Sequence, residues 1–177
     1  MRVSWRHMAV AICGLPFLTV APALAQTKPK LIGSFDDWQA YTLTQGKAKT
    51  CYMVSRPTAS LPKGAKRGEI YVMISNRPAD HVEHEFSVGL GYAIKKGSKP
   101  QLMIDKTSTD LVVFEKPGYD QTAWAADPKS EQAIVDGMAK GHTMELKAVS
   151  AHGTQTTDTF SLNGVTAALR AVAGACK

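Results

Sequence analysis

Beyond residue 35 the chain alternates between short apolar segments and polar breaks that carry glycine or proline. Phe35 to Leu43 and Thr50 to Arg56 read as two strands joined by a turn at Gln45-Gly46-Lys47. Ile70 to Ile74 is apolar at successive positions, which predicts a strand covered on both faces, and Asn76-Arg77-Pro78 ends it. Glu83 to Ile94 predicts a further strand with Phe86, Val88 and Leu90 on one face. After a loop from Lys95 to Pro100 come Leu102-Met103-Ile104, then two short strands, Leu111 to Phe114 and Gln121 to Trp124, on either side of Pro117-Gly118. Met144 to Ala148 alternates strictly, the pattern of a strand with one buried and one wet face.

Two segments read as helices. Asp127 suits an N-cap, Pro128 the first helical position and Gly141 the end, with Ile134 and Met138 sharing a face. Ser161 is expected to cap a C-terminal helix carrying Leu162, Val165, Leu169 and Val172 on one stripe. Many short strands at regular spacing with one or two short helices predict a mainly β, single-domain antiparallel β-sandwich, immunoglobulin-like in outline, over residues 36–177. No internal repeat or linker divides the chain.

The first 25 residues follow a different pattern. Arg2 and Arg6 precede an uncharged apolar run from Met8 to Val20, and Ala23-Leu24-Ala25 places small residues where a signal peptidase reads. The run falls short of the roughly 20 residues that span a bilayer and is interrupted by Pro16, with Pro22 just beyond it. Residues 1–25 are therefore expected to be a secretory signal peptide, followed by a flexible polar lead over residues 26–35. Removal of the leader changes the composition. Of 177 residues 152 remain, and 21 basic side chains fall to 19 against an unchanged 15 acids, a net charge of +4. Cys13 leaves as well, so three cysteines become a pair, Cys51 and Cys176, and an exported pair predicts a disulfide. A mean hydropathy of −0.15 with 20% charged residues excludes both a disordered chain and a multi-span membrane protein.

Candidate chemistry is sparse. His81, Glu83 and His84, with Glu85, form the densest group of metal-ligating types, but on a regular strand His84 points away from the other three, so a metal site is not favoured. Ser150, His152 and Asp158 supply the types of a hydrolytic triad without a nucleophile elbow, and a polar hairpin is the expected reading. Gly89 and Gly91 lack the third glycine and the following helix of a phosphate loop. No catalytic residue and no cofactor is expected. Trp38 and Trp124 are expected as core anchors. Basic side chains gather at turns: Lys47 and Lys49; Lys63, Lys66 and Arg67; Lys95, Lys96 and Lys99. The last two groups are the candidate binding surface, suited to anionic lipid, acidic glycan or an acidic protein. Nucleic acid fits poorly with export and with the lack of a recognised motif.

In order along the chain, Asp37-Trp38, Thr50-Cys51, Glu69 through Pro78, Gly91-Tyr92, Ala123-Trp124 and Phe160-Ser161-Leu162-Asn163-Gly164 through Cys176 resemble the invasion-associated locus B family. The resemblance runs from about Asp36 to Cys176. It implies an extracytoplasmic Gram-negative protein, a compact β-sandwich and, for some members, attachment to or invasion of host cells; it transfers no catalytic residue. The expected function is a non-enzymatic exported envelope protein, periplasmic, outer-membrane-associated or secreted, that binds a host-cell or envelope partner. The alternatives are a periplasmic enzyme or metal-handling protein centred on His81 and His84, and a structural or stress-related envelope component.

Overall fold

The computed structural model describes residues 28–177. The signal peptide expected over residues 1–25, with Cys13, lies outside the described residues. Among the described residues twelve strands form two antiparallel sheets. The larger has the spatial order β1 (Lys30–Phe35), β2 (Trp38–Gln45), β3 (Ala48–Ser55), β5 (Tyr71–Arg77), β6 (Val82–Gly89), β10 (Thr122–Trp124) and β9 (Val112–Val113). The smaller runs β4 (Ala59–Leu61), β12 (Gln155–Ser161), β11 (Thr143–Val149), β7 (Gln101–Ile104) and β8 (Thr107–Asp110).

Alternation decides which side chains enter the core. Trp38 and Ala40 of β2, Met53 of β3, Val72 and Ile74 of β5, and Phe86 and Val88 of β6 are fully buried, as are Met144, Leu146 and Phe160 of the smaller sheet. Each large side chain so buried contributes roughly 1.5–3 kcal/mol. The Trp38 indole N–H donates to the Ser161 carbonyl 3.1 Å away, tying β2 to β12. The mainly β antiparallel sandwich with its last helix at the C-terminus is as expected.

Helix α1 (Pro128–Lys140) begins as the sequence predicts. Asp127 accepts the Ser130 backbone N–H at 2.8 Å while the Ser130 hydroxyl accepts the Asp127 N–H, and the bond from the Ser130 backbone holds the Asp127 carboxyl below its usual range. Ile134, Val135 and Met138 face inward. Helix α2 (Val165–Ala175) buries Val165, Ala168 and Val172 and delivers Cys176 to Cys51 on β3, where the two form a disulfide with Cα atoms 5.8 Å apart. Closing a 125-residue separation removes about 5 kcal/mol of unfolded-chain entropy.

Four expectations are corrected. Ser161 ends β12 and caps nothing; α2 starts at Gly164, whose φ of +88° and whose 2.0 Å clearance from any added Cβ to the Phe35 carbonyl oxygen admit only glycine. The second half of the expected polar lead, Lys30–Phe35, is strand β1, paired with β2. The strand expected from Glu83 to Ile94 stops at Gly89, and Ile94 makes only an isolated bridge to Ser150. Polar β4 and β8 were not expected as strands, and β12, an arm of the polar hairpin expected around Ser150 to Asp158, is not a merely polar arm but turns Thr156, Asp158 and Phe160 inward.

Candidate functional site

The two basic groups singled out in the sequence have different fates. Lys63 and Lys66 are exposed, but the Arg67 side chain is only 6% exposed and its guanidinium grips Asp158, which is fully buried, at 2.5 and 2.9 Å. Ser60 donates a third hydrogen bond to the same carboxylate at 2.7 Å. Arg67 also lies over the Tyr92 ring, 5.8 Å from its centroid, and the Tyr92 and Thr156 hydroxyls are 2.5 Å apart. Burial pushes the Tyr92 hydroxyl above its usual range. Arg67 therefore fastens the segment after β4 to β12 and is removed from the expected binding surface.

The group at Lys95, Lys96 and Lys99 remains at the surface and is drawn together. These residues rim an open hollow of about 720 Å³ with Lys116 on its other wall. The hollow holds four lysines against two carboxylates, Glu115 and Asp120, and its floor includes Ile94, Leu111 and Val113. Backbone bonds build it: Lys95 N–H donates to Val149, Ile94 N–H to Asp120, and Leu111 N–H to Pro100, each at 2.8 Å. Lys96 reaches Glu115 at 3.3 Å across the opening, leaving Lys95, Lys99 and Lys116 without a carboxylate within ion-pair distance among the described residues.

The loop that forms the far wall, residues 114–120, carries Phe114 and Tyr119 at 50% and 54% exposure. Both rings pack on Trp124, at centroid distances of 5.1 and 6.0 Å. This corrects the expectation for Trp124. It pairs with Ser87 on the outward face of β10 and is half-buried under those two rings, whereas Trp38 is in the core as expected.

A second concavity, of about 900 Å³, lies on the outer face of the larger sheet and is floored by Tyr41, Tyr52, Tyr71 and Met73. Tyr41 and Tyr52 are a directly opposed cross-strand pair with stacked rings 5.4 Å apart, and burial together with Tyr41 raises the Tyr52 hydroxyl pKa. Its polar rim is nearly balanced in charge, with Lys28 and Arg56 against Asp36, Asp37 and Glu69, and Arg56 is paired with Glu69 at 2.9 Å.

The remaining candidates acquire structural roles. His84 has a φ of +58° at a register shift between β5 and β6, which breaks strand alternation, so His81, Glu83 and His84 border one shallow hollow beside the disulfide where the sequence pattern had placed His84 apart. Even so, no group of three or more His, Cys, Asp or Glu side chains converges for a metal among the described residues. Glu85 is committed to Arg77, with oxygens 2.5 and 2.9 Å from the guanidinium, which holds its carboxyl below the usual range. Ser150 accepts the Thr154 backbone N–H, His152 is exposed and Asp158 is held by Arg67, so these three do not assemble. Gly89 is covered by the Tyr71 ring, and Gly91 packs backbone to backbone on Gly68, which explains both glycines without a phosphate. Sequence reasoning missed Lys116, Phe114 and Tyr119, since a lone lysine and two rings in a turn carry no periodic signal.

No helix among the described residues is long and apolar enough to cross a membrane. A family model described as invasion associated locus B (IalB) protein matches residues 38–173. The crystal structure of invasion associated protein b from Bartonella henselae is similar in fold, with a TM-score of 0.56 over 82% of this chain and 98% of that chain, at 18% sequence identity. No curated protein matches the chain.

Proposed function

The chain belongs to the invasion associated locus B family, and from that premise we propose that it is an exported, non-enzymatic cell-envelope protein that holds an anionic partner at the lysine-rimmed hollow. The observation that carries this reading is the convergence of Lys95, Lys96 and Lys99 with Lys116 around one concavity, in excess over its two carboxylates. Such an arrangement focuses a positive potential where a partner can be accommodated. Lys63 and Lys66, which do not line this hollow, and Arg67, which is neutralised by Asp158, contribute little. A low-salt column of immobilised heparin, used as a soluble-type polyanion probe, tests it. The protein purified from its exporting cells is retained and elutes as salt rises; the K95E/K96E/K99E variant elutes at distinctly lower salt. Equal elution of the two proteins would remove the hollow from the function.

A second reading rests on the tyrosine-floored groove. Its balanced charge and stacked rings suit a neutral polar chain such as an uncharged glycan rather than a polyanion. Protection of Tyr52 from mild iodination by an uncharged oligosaccharide, absent in a Tyr41→Ala variant, supports this; no protection at millimolar sugar discards it.

A further inference from the structure

We propose that the anionic partner is the surface of a phospholipid bilayer, and that the loop 114–120 is the part that enters it. This deepens the reading above and rests on it. The first observation is the charge: Lys95, Lys96, Lys99 and Lys116 complement anionic headgroups, each lysine near such a surface being worth about a fivefold gain in partitioning. The second is independent of charge. Phe114 and Tyr119, each half-exposed, project from the same loop that carries Lys116, and they rest on Trp124 as a compact aromatic cluster.

Aromatic rings with one polar end prefer the headgroup level of a bilayer, where the ring body leaves water and the hydroxyl or indole N–H stays hydrated. Charge alone would equally suit a soluble polyanion. Exposed rings beside the charge are what select a lipid interface, since they have apolar area to bury and a soluble polyanion offers nowhere to bury it. The scaffold is fit for this use. The loop is pinned at both ends by backbone bonds, Leu111 to Pro100 and Ile94 to Asp120, so it presents the rings near its two ends without unfolding the sandwich.

The test uses sedimentation of the purified protein with sucrose-loaded vesicles of phosphatidylcholine and phosphatidylglycerol in equal parts, and of phosphatidylcholine alone, in low salt. Binding to the mixed vesicles with little to the neutral ones is expected, and K95E/K96E/K99E lowers it by at least about a hundredfold. F114S/Y119S lowers vesicle binding about tenfold while its elution from heparin is unchanged. A second measurement needs no variant. With the leader and its Trp5 removed, the tryptophans left are Trp124 and Trp38, which is sealed in the core, so quenching of tryptophan emission by brominated lipids in the chain starting at Gln26 reports Trp124 at the interface. Retention on heparin without vesicle binding overturns the bilayer and leaves the anionic hollow standing. Vesicle binding that is indifferent to F114S/Y119S and gives no quenching also overturns the proposal, because the rings then take no part. Failure on both heparin and vesicles sinks the proposal together with the reading beneath it.

Discussion

Two basic turns that look alike in sequence, Lys63 to Arg67 and Lys95 to Lys99, end in opposite environments. In the first, Arg67 is withdrawn from water and spent on a carboxylate that lies 91 residues away in the chain. In the second the cations stay in solvent around an apolar-floored hollow, and among the described residues only Lys96 has a carboxylate within ion-pair distance. What separates them is an inward-facing acid on the neighbouring strand: Asp158 demands a permanent counter-charge, and Arg67, with a planar fork that meets both carboxylate oxygens, supplies it. A count of positive charge per turn therefore measures nothing about binding until the buried acids have been assigned.

The largest effect should come from breaking the buried pair. Arg67→Met leaves Asp158 in the core without its partner and is expected to cost about 3–5 kcal/mol. Urea unfolding followed by far-UV circular dichroism reads this directly. R67M/D158L should recover much of the loss, since two apolar groups in place of a buried pair are close to neutral. A single R67M costing under about 1 kcal/mol would mean that water reaches Asp158 and that Arg67 belongs with the exposed lysines after all.

Intermediate between the two turns is Arg77, whose side chain is 30% exposed and paired with Glu85 at 32%. Because the Arg77 hydrogen bond lowers the Glu85 pKa in the folded protein, the unfolded chain binds a proton more readily. The stability this pair supplies is thus complete above the ordinary glutamate value of about 4.3 and is lost as pH falls through the lower folded value. Partial exposure limits it to about 1 kcal/mol. Glu131, whose pKa burial raises, works in the opposite sense and in the adjacent window, losing stability as pH climbs from the ordinary glutamate value through its higher folded value. Thermal midpoints from pH 6 to 3 should fall less steeply for Glu85→Gln than for the wild type; parallel curves would show that the pair contributes nothing.

The parts of the fold that were readable from the chain are those where one local signal suffices. Apolar runs gave β3 and β5, strict alternation gave β11, the Asp127-Pro128 start gave α1, and an even cysteine count once the expected leader is set aside gave the Cys51–Cys176 link. The hairpin that contains β12 was legible, but the inward face of β12 was not, because its inward positions include a threonine and an aspartate, acceptable there only through Tyr92 and Arg67. Trp124 was misread for another reason: alternation separates Ala123 from Trp124 but does not say which of the two faces the core. His84 escaped because a residue at positive φ shifts the strand register, and nothing in a one-residue pattern announces that. At the candidate site the lysines of the 95–99 turn were legible, whereas the apolar floor and the neighbouring aromatic cluster come from segments brought together only by folding.

The smallest expected change in stability is at Lys95, Lys96 and Lys99. Reversing all three should shift stability by no more than about 0.5 kcal/mol, because their ammonium groups are solvated and the Lys96–Glu115 bridge, at 87% and 49% exposure, is of the kind that contributes little. Glu at position 96 would face Glu115, a repulsion that salt screens within about 10 Å. In 150 mM salt the thermal midpoint should therefore stay within about 2 °C of wild type. A loss approaching that of Arg67→Met would show these lysines to be holding the 95–99 turn against the 114–120 loop, and their excess charge would then be structural in origin. An unchanged midpoint leaves three cations that the fold does not need, which is the condition under which loss of heparin and vesicle binding in the same variant can be assigned to the partner and not to the scaffold.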